Sequence, residues 1–260
     1  MNEPVRTRLT VNDIDTSHAT GGEGPTVLLL HGWGANAGLM WPLAERLLKL
    51  RYRVLVPDLP GFGQTPPPPT AWSVCDYAGF VLAYLDALGV GRAHLIGHSF
   101  GGRLGLVLGA DHAERIDKMV LIDSAGVKPP TSGNAGLRLS AYKAVRDGLA
   151  SVGLKGLSDN LRGWYTDRYG SADFKNAGPL RETFVRVVNE DLLPYAARVK
   201  PSTLLLWGEA DQDTPVWMAK QLEAQIPDAG LHTFPGAGHY SYLERLADTA
   251  RIVDYFFKQR

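Results

Sequence analysis

Residues 95–102 read LIGHSFGG, with Ser99 held between Gly97 and Gly101 and Gly102 directly after. Glycine inside a regular element costs about 0.5–1 kcal/mol relative to alanine, so three of them around one hydroxyl point to close backbone approach. The cluster follows the apolar run AHLI and precedes RLGLVLGA. Strand, G-x-S-x-G, then helix is the setting of a nucleophile elbow, where a serine sits on a tight turn with its hydroxyl exposed. A serine hydroxyl is a weak nucleophile until an imidazole takes its proton, and that imidazole needs a carboxylate to fix its tautomer and stabilise the imidazolium. LLLWGEADQDTP sets Asp211 just past a strand-like run, and FPGAGHYSYLE sets His239 just past the next. The order Ser99, Asp211, His239 is that of a triad built on an open α/β sheet. Asp213 competes with Asp211 for the acid role. The chemistry these types suit is attack on a carbonyl carbon with a shuttled proton.

Such chemistry also needs N–H donors aimed at the developing oxyanion, each worth about 3–4 kcal/mol of barrier. One is the backbone N–H after the nucleophile, here Phe100. The other comes from a loop after an earlier strand, and LLLHGWGANAG supplies it, with Trp33 as donor and Gly32 and Gly34 letting the backbone turn. The same loop can be read as a dinucleotide fingerprint with Asp58 as the ribose-binding acid. Its third glycine arrives one residue late, however, and that reading leaves Ser99, Asp211 and His239 without a role. His31 and His98 are read as packing or supporting residues. The sequence has no H-E-x-x-H, and His94 and His98, four apart in a strand, do not form a chelating pair, so no metal site and no cofactor are expected.

The elements that must position these residues follow from the apolar pattern. Runs of strand length recur at 26–31, 53–58, 93–98, 118–123, 202–208 and 230–234. Uninterrupted runs of this kind suit strands buried on both faces. Between them, Tyr77, Phe80, Val81, Tyr84, Leu85 and Leu88 trace a helical stripe that Gly89 is placed to stop. Strands alternating with helices imply an α/β architecture, a mostly parallel sheet with helices on both faces. Residues 5–11 alternate as an antiparallel edge strand. The alternation fails over 129–193, where LRLSAYKAVRDGLASVGL and PLRETFVRVVNEDLL read as helical pieces, so this stretch is an insertion and the core comprises 1–128 and 194–260.

Composition narrows the partners. The chain has 260 residues, 45% hydrophobic and 21% charged, and its 27 basic side chains match its 27 acidic ones. Neither sign forms a long block, which argues against nucleic acid or an anionic membrane and in favour of a small-molecule substrate. No apolar stretch approaches the roughly 20 residues that span a bilayer. MNEPVRTRLTVNDIDTSH shows no apolar signal region, and Cys75, the single cysteine, has no internal disulfide partner, so a cytoplasmic location is expected.

Taken in order, HGWG, DLPGFGQT, GHSFGG, WGEADQDTP and GAGHYSYLE resemble the motifs of the α/β-hydrolase superfamily over about 25–256. The resemblance implies an eight-stranded, mostly parallel sheet with a helical cap inserted after strand 6. It assigns Ser99 as nucleophile, Asp211 as acid, His239 as base, and the N–H groups of Trp33 and Phe100 as oxyanion donors. Dehalogenases and epoxide hydrolases of the superfamily carry aspartate where Ser99 stands, which excludes those chemistries. The expected activity is a carboxylesterase-like serine hydrolase acting on a small ester through an acyl-enzyme. The alternatives are a carbon–carbon bond hydrolase or lyase of the meta-cleavage-product or menaquinone-pathway type, or a receptor that does not turn over. In the insertion, Trp164, Tyr165 and Tyr169 beside Arg162 and Arg168 are candidate pocket residues for an apolar acyl group and a carboxylate.

Overall fold

A computed structural model of the chain describes residues 5–128 and 176–259, with residue 174 and parts of 141–160 between them. Its centre is an eight-stranded sheet in the order β1-β2-β4-β3-β5-β6-β7-β8. The strands are β1 (Arg6–Val11), β2 (Ile14–Gly21), β3 (Thr26–Leu30), β4 (Arg53–Pro57), β5 (Ala93–His98), β6 (Ile116–Ile122), β7 (Thr203–Gly208) and β8 (Ala229–Phe234). All neighbours from β4 to β8 pair in parallel, while β1 on β2 and β2 on β4 are antiparallel.

The apolar runs of β3 to β7 become strands covered on both faces, whereas the run at 230–234 becomes the edge strand β8, whose burial alternates. In β3, Val27 and Leu29 join one core layer and Leu28 and Leu30 the other; Val120 and Ile122 are split from Met119 and Leu121 in the same way in β6. One layer is closed by α1 (Ala37–Lys49) and, after β8, by α7 (Ser241–Glu244) and α8 (Leu246–Lys258). Against the other lie α2 (Val74–Ala87), α3 (Phe100–Asp111) and α6 (Val216–Gln225). Helix α2 starts at a capping box, with Ser73 Oγ accepting from the Asp76 N–H and the Asp76 carboxylate from the Ser73 N–H. It ends at Leu88, followed by Gly89 at φ +65°. Between β6 and β7 the described residues are largely helical, ending in α4 (Arg181–Asn189) and α5 (Leu193–Ala196). No helix among the described residues is long and apolar enough to cross a membrane.

Strand β2 is the element the apolar pattern conceals. Its buried positions include Thr16, Ser17 and His18. Each of the three finds a partner: Thr16 Oγ1 donates to the Ile14 carbonyl, the Ser17 N–H to Thr65 Oγ1, and His18 Nδ1 pairs with the Tyr84 hydroxyl at 2.9 Å. Asp58, closing β4, is fully buried and wholly engaged. It forms an ion pair with Arg6 of β1 and accepts the Ala37 N–H at the start of α1 (2.7 Å) and the Gln64 N–H (2.9 Å). A carboxylate committed to capping a helix and holding the edge strand is not open to a ribose.

Arg6 is the counter-ion of a buried carboxylate and is itself only 21% exposed. Arg6→Ala is expected to lower unfolding stability by about 2 kcal/mol, less than a fully buried pair would lose, as read from the midpoint of urea denaturation.

Candidate active site

Ser99 sits between β5 and α3 at φ +49°, ψ −106°, a region L-residues rarely occupy, which costs about 1–3 kcal/mol. The surrounding backbone holds it there. The Ser99 N–H donates to the Ile122 carbonyl at the end of β6 (3.0 Å), and the Gly101 N–H to the His31 carbonyl beyond β3 (3.1 Å). This stitching is why the flanking glycines are needed. A Cβ on Gly97 would lie 2.4 Å from the Gly101 carbonyl oxygen, and one on Gly101 would lie 2.2 Å from that of Leu30. The Phe100 N–H belongs to the first turn of α3, whose N–H groups have no acceptor within the helix.

Asp211 and His239, far apart in sequence, meet outside the ends of β7 and β8. His239 Nδ1 donates to Asp211 Oδ2 at 2.8 Å, and that carboxylate is fully buried. Asp211 also accepts the Thr214 hydroxyl (2.7 Å), the Thr214 N–H (3.0 Å) and the Asp213 N–H (2.8 Å). Of the two candidate acids it is Asp211 whose carboxylate reaches the imidazole; Asp213 is exposed and meets Asp211 through its backbone. Burial works against both charges. The bonds from His239 and Thr214 nevertheless hold the Asp211 pKa below the usual carboxylate value. For His239, burial is outweighed by the Asp211 bond and by the charges of Asp211, Asp123 and Asp213, which raise its pKa above the ordinary histidine value.

Two further histidines lie close by and are held neutral. His31 Nε2 accepts the Leu59 N–H (3.0 Å), so its Nδ1 carries the proton and donates to the Gly32 carbonyl (2.8 Å). Burial lowers its pKa. His98 Nε2 donates to the His239 carbonyl at 2.8 Å, and burial and the neighbouring His239 push its pKa down to about 3. Both support backbone, one at the Trp33 loop and one at the His239 loop.

Ser99 and His239 line one cavity of about 410 Å³, together with Trp33, Phe100, Arg103 and Asp213. A second cavity of about 530 Å³ adjoins it across the shared residues Trp33 and Tyr240. One wall comes from α4, through Phe184, Val187 and Val188. Phe184 meets Trp33 edge to face at 5.0 Å between ring centroids. The helical spacing of these three residues in RETFVRVVN was legible in the sequence, but their facing the serine was not. Arg103, on α3, also lines the cavity; its signal in the sequence is a lone cation in the apolar stretch FGGRLGLVLGA. The expected pocket residues Arg162, Trp164, Tyr165, Arg168 and Tyr169 lie outside the described residues. Asp211, Asp213 and His239 bring three ligand-type atoms within 4.8 Å of one another. Because Asp211 is already saturated by His239 and Thr214, the cluster is accounted for without a cation.

The family model for the alpha/beta hydrolase fold matches residues 25–246. The chain belongs to the α/β-hydrolase fold family. Among characterised relatives of this α/β-hydrolase it is 30% identical to a 2-hydroxymuconate semialdehyde hydrolase of Pseudomonas putida, over 92% of this chain and 89% of the relative. It is 28% identical to a 2-hydroxy-6-oxo-6-phenylhexa-2,4-dienoate hydrolase of Comamonas testosteroni, over 92% and 90% of the two chains. The solved meta-cleavage product hydrolase of Pseudomonas fluorescens superposes with a TM-score of 0.74 at 25% identity, covering 96% of this chain and 97% of that one.

The elbow tolerates no side chain where its backbones touch. Gly101→Ala is expected to cost about 3 kcal/mol, because the obstructing atom is backbone that cannot swing away, and to lower the thermal midpoint accordingly in calorimetry.

Proposed function

We propose that the protein is a serine hydrolase that cleaves a small carboxylic ester through an acyl-enzyme on Ser99. The observation that carries this reading is the 2.8 Å bond from His239 Nδ1 to the buried Asp211 carboxylate, on the wall of the cavity that Ser99 also lines. With Nδ1 carrying a proton, the Nε2 lone pair is left to accept one. Ser99 Oγ attacks the carbonyl carbon as its proton passes to His239. The N–H groups of Phe100 and Trp33 meet the oxyanion. Collapse expels the alcohol, which takes the proton from His239. A water then gives a proton to His239 and attacks the acyl-serine; the acid leaves and the proton returns to Ser99 Oγ. No step requires a bound cofactor. Residues 129–193 act in this reading as a cap over the site, supported by the α4 side chains on the cavity wall.

A second reading is hydrolysis of a carbon–carbon bond beside a ketone, favoured by the names of the relatives above. The same serine attack serves it, but the leaving group is then a carbanion that must be delocalised into the substrate.

Assay of p-nitrophenyl esters from acetate to decanoate, alongside 2-hydroxymuconate semialdehyde, separates these readings. Multiple turnovers of esters, abolished in Ser99→Ala, are expected. Loss of only the dienoate absorbance would favour carbon–carbon cleavage, a single slow burst on every ester would sink the esterase reading, and activity surviving in Ser99→Ala on both substrate types would sink both.

The pH profile follows from the sign of the His239 shift. His239 must be neutral to act as base, so kcat/KM is expected to rise with pH through an inflection above the ordinary histidine value. Asp211→Asn removes the charge that favours the imidazolium. The inflection should therefore move to lower pH, while kcat falls by about 10,000-fold as the tautomer is lost.

A further inference from the structure

The cavity holds one charged group that hydrolysis at Ser99 does not use. Arg103 lies one helical turn past Ser99 on α3 and is 7% exposed, and that small remainder opens into the cavity it lines. Every other residue from Phe100 to Ala110 is buried and uncharged, in a helix packed between the sheet and its neighbours. A buried cation is costly unless it is paired, and an apolar residue of the same length would fill the site at no electrostatic cost. Here the pairing is incomplete. Of the five N–H donors of the guanidinium, one bond is made to the described residues, from Nη1 to the Glu190 carbonyl at 3.1 Å. No carboxylate of the described residues forms an ion pair with it. Glu190 spends its own carboxylate on the Val74 N–H, and Glu190 and Asp191 act on the guanidinium only at longer range. Burial accordingly lowers the Arg103 pKa to about 10, which leaves the group charged at neutral pH.

The cavity is therefore polarised. Asp213, the only carboxylate among its described lining residues, stands on the His239 side, where its charge is felt by the imidazole. Arg103 reaches toward the chain that leaves α4 at Glu190. An anionic ligand group is repelled at one end and met at the other by a dehydrated, planar cation with donors to spare. That geometry suits a carboxylate accepting two parallel N–H bonds.

We propose that Arg103 is the anion anchor of this pocket and that the natural substrate carries a carboxylate, seated toward α4, in addition to the bond Ser99 attacks. The substrate class is a monoester of a dicarboxylic acid, or an oxo-acid with the same spacing of carbonyl and carboxylate. Arg103 acts as a specificity residue; it forms and breaks no bond. This inference rests on the serine-hydrolase reading for the meaning of the bound anion, and its test keeps the two apart.

Two substrate pairs, each an acid and its neutral methyl ester, put the carboxylate in either half of the molecule: p-nitrophenyl hydrogen glutarate against p-nitrophenyl methyl glutarate, and 4-carboxyphenyl acetate against 4-methoxycarbonylphenyl acetate. In one pair the wild-type protein should favour the acid by about 10- to 100-fold in kcat/KM, chiefly through KM, the increment of a charge-assisted hydrogen bond in a dry site. Arg103→Met should bring that ratio to one or below, and Arg103→Lys should keep part of it. A strut that merely ties α3 to the Glu190 carbonyl would lower acid and neutral ester alike; an unchanged ratio, or no acid preference in either pair, overturns the proposal. A readout independent of turnover is calorimetric titration of glutarate into Ser99→Ala. Binding there should weaken at least about 10-fold in Ser99→Ala/Arg103→Met at an equal melting temperature. Glutarate binding that is lost with Arg103 while wild-type ester turnover persists in Ser99→Ala would refute the serine reading and leave the anchor standing. Turnover abolished in Ser99→Ala, with glutarate binding indifferent to Arg103, would do the reverse.

Discussion

The site depends on one buried carboxylate that reaches neither the imidazole nor the serine. Asp123, at φ +44° just past β6, directs one oxygen to the Gly208 N–H at the end of β7 (2.8 Å) and the other to the N–H and hydroxyl of Ser241 (3.1 and 2.6 Å), two residues beyond His239. Its carbonyl accepts the Thr214 hydroxyl, which also donates toward Asp211. Residues 99, 211 and 239 lie on three separate loops, and a proton path across them tolerates errors of only a fraction of an ångström. Asp123 fastens the acid loop and the histidine loop to the strand that also carries the Ser99 N–H bond, so the three share one origin. Burial raises its pKa to about 7, against the pull of the Ser241 and Gly208 bonds. A group so poised adds negative potential behind His239 without competing for it.

The arrangement of histidines shows how environment sorts identical side chains. His31, His98 and His239 surround one serine, and three imidazolium ions there would repel one another and any cationic transition. His31 and His98 are buried against backbone carbonyls and kept neutral, whereas His239 alone meets a carboxylate and is shifted the other way. Of the three, His239 alone is shifted toward its charged form. The rings of His98 and His239, 4.9 Å apart, also settle the orientation of the second by packing on the first.

What could be read from the sequence was whatever is local or periodic. Each apolar run became a strand, those of β3 to β7 buried on both faces and that of β8 an edge strand whose burial alternates; β2 escaped because Thr16, Ser17 and His18 occupy buried positions through partners up to 66 residues away. The elbow was legible because G-x-S-x-G encodes backbone contacts with its own neighbours. The residues alone left Asp211 and Asp213 in competition, and it was the motif resemblance that pointed to Asp211; in the structure Thr214 bonds the Asp211 carboxylate, which faces inward to His239. The α4 wall and the partner of Arg103 were hidden: they exist only once α4 and Glu190, which is 87 residues beyond Arg103, lie against the start of α3.

The residues around Ser99 are held in two different ways. Ser99, Asp211 and His239 are anchored to strand ends through backbone contacts that the core enforces, with Gly97 and Gly101 packed too closely to accept a Cβ. Phe184, Val187 and Val188 on α4 and Arg103 in the first turn of α3 line the cavity from outside the sheet, where a change of side chain alters the cavity but no strand register. Arg103 stands at the junction of the two. Its stem belongs to the buried helix that begins after Ser99, and its head bonds the Glu190 carbonyl just beyond α4, so the cation is positioned by the core and lines the cavity. A charge held that way cannot relax toward solvent when a ligand arrives, which is the condition under which a single ion pair discriminates strongly between substrates.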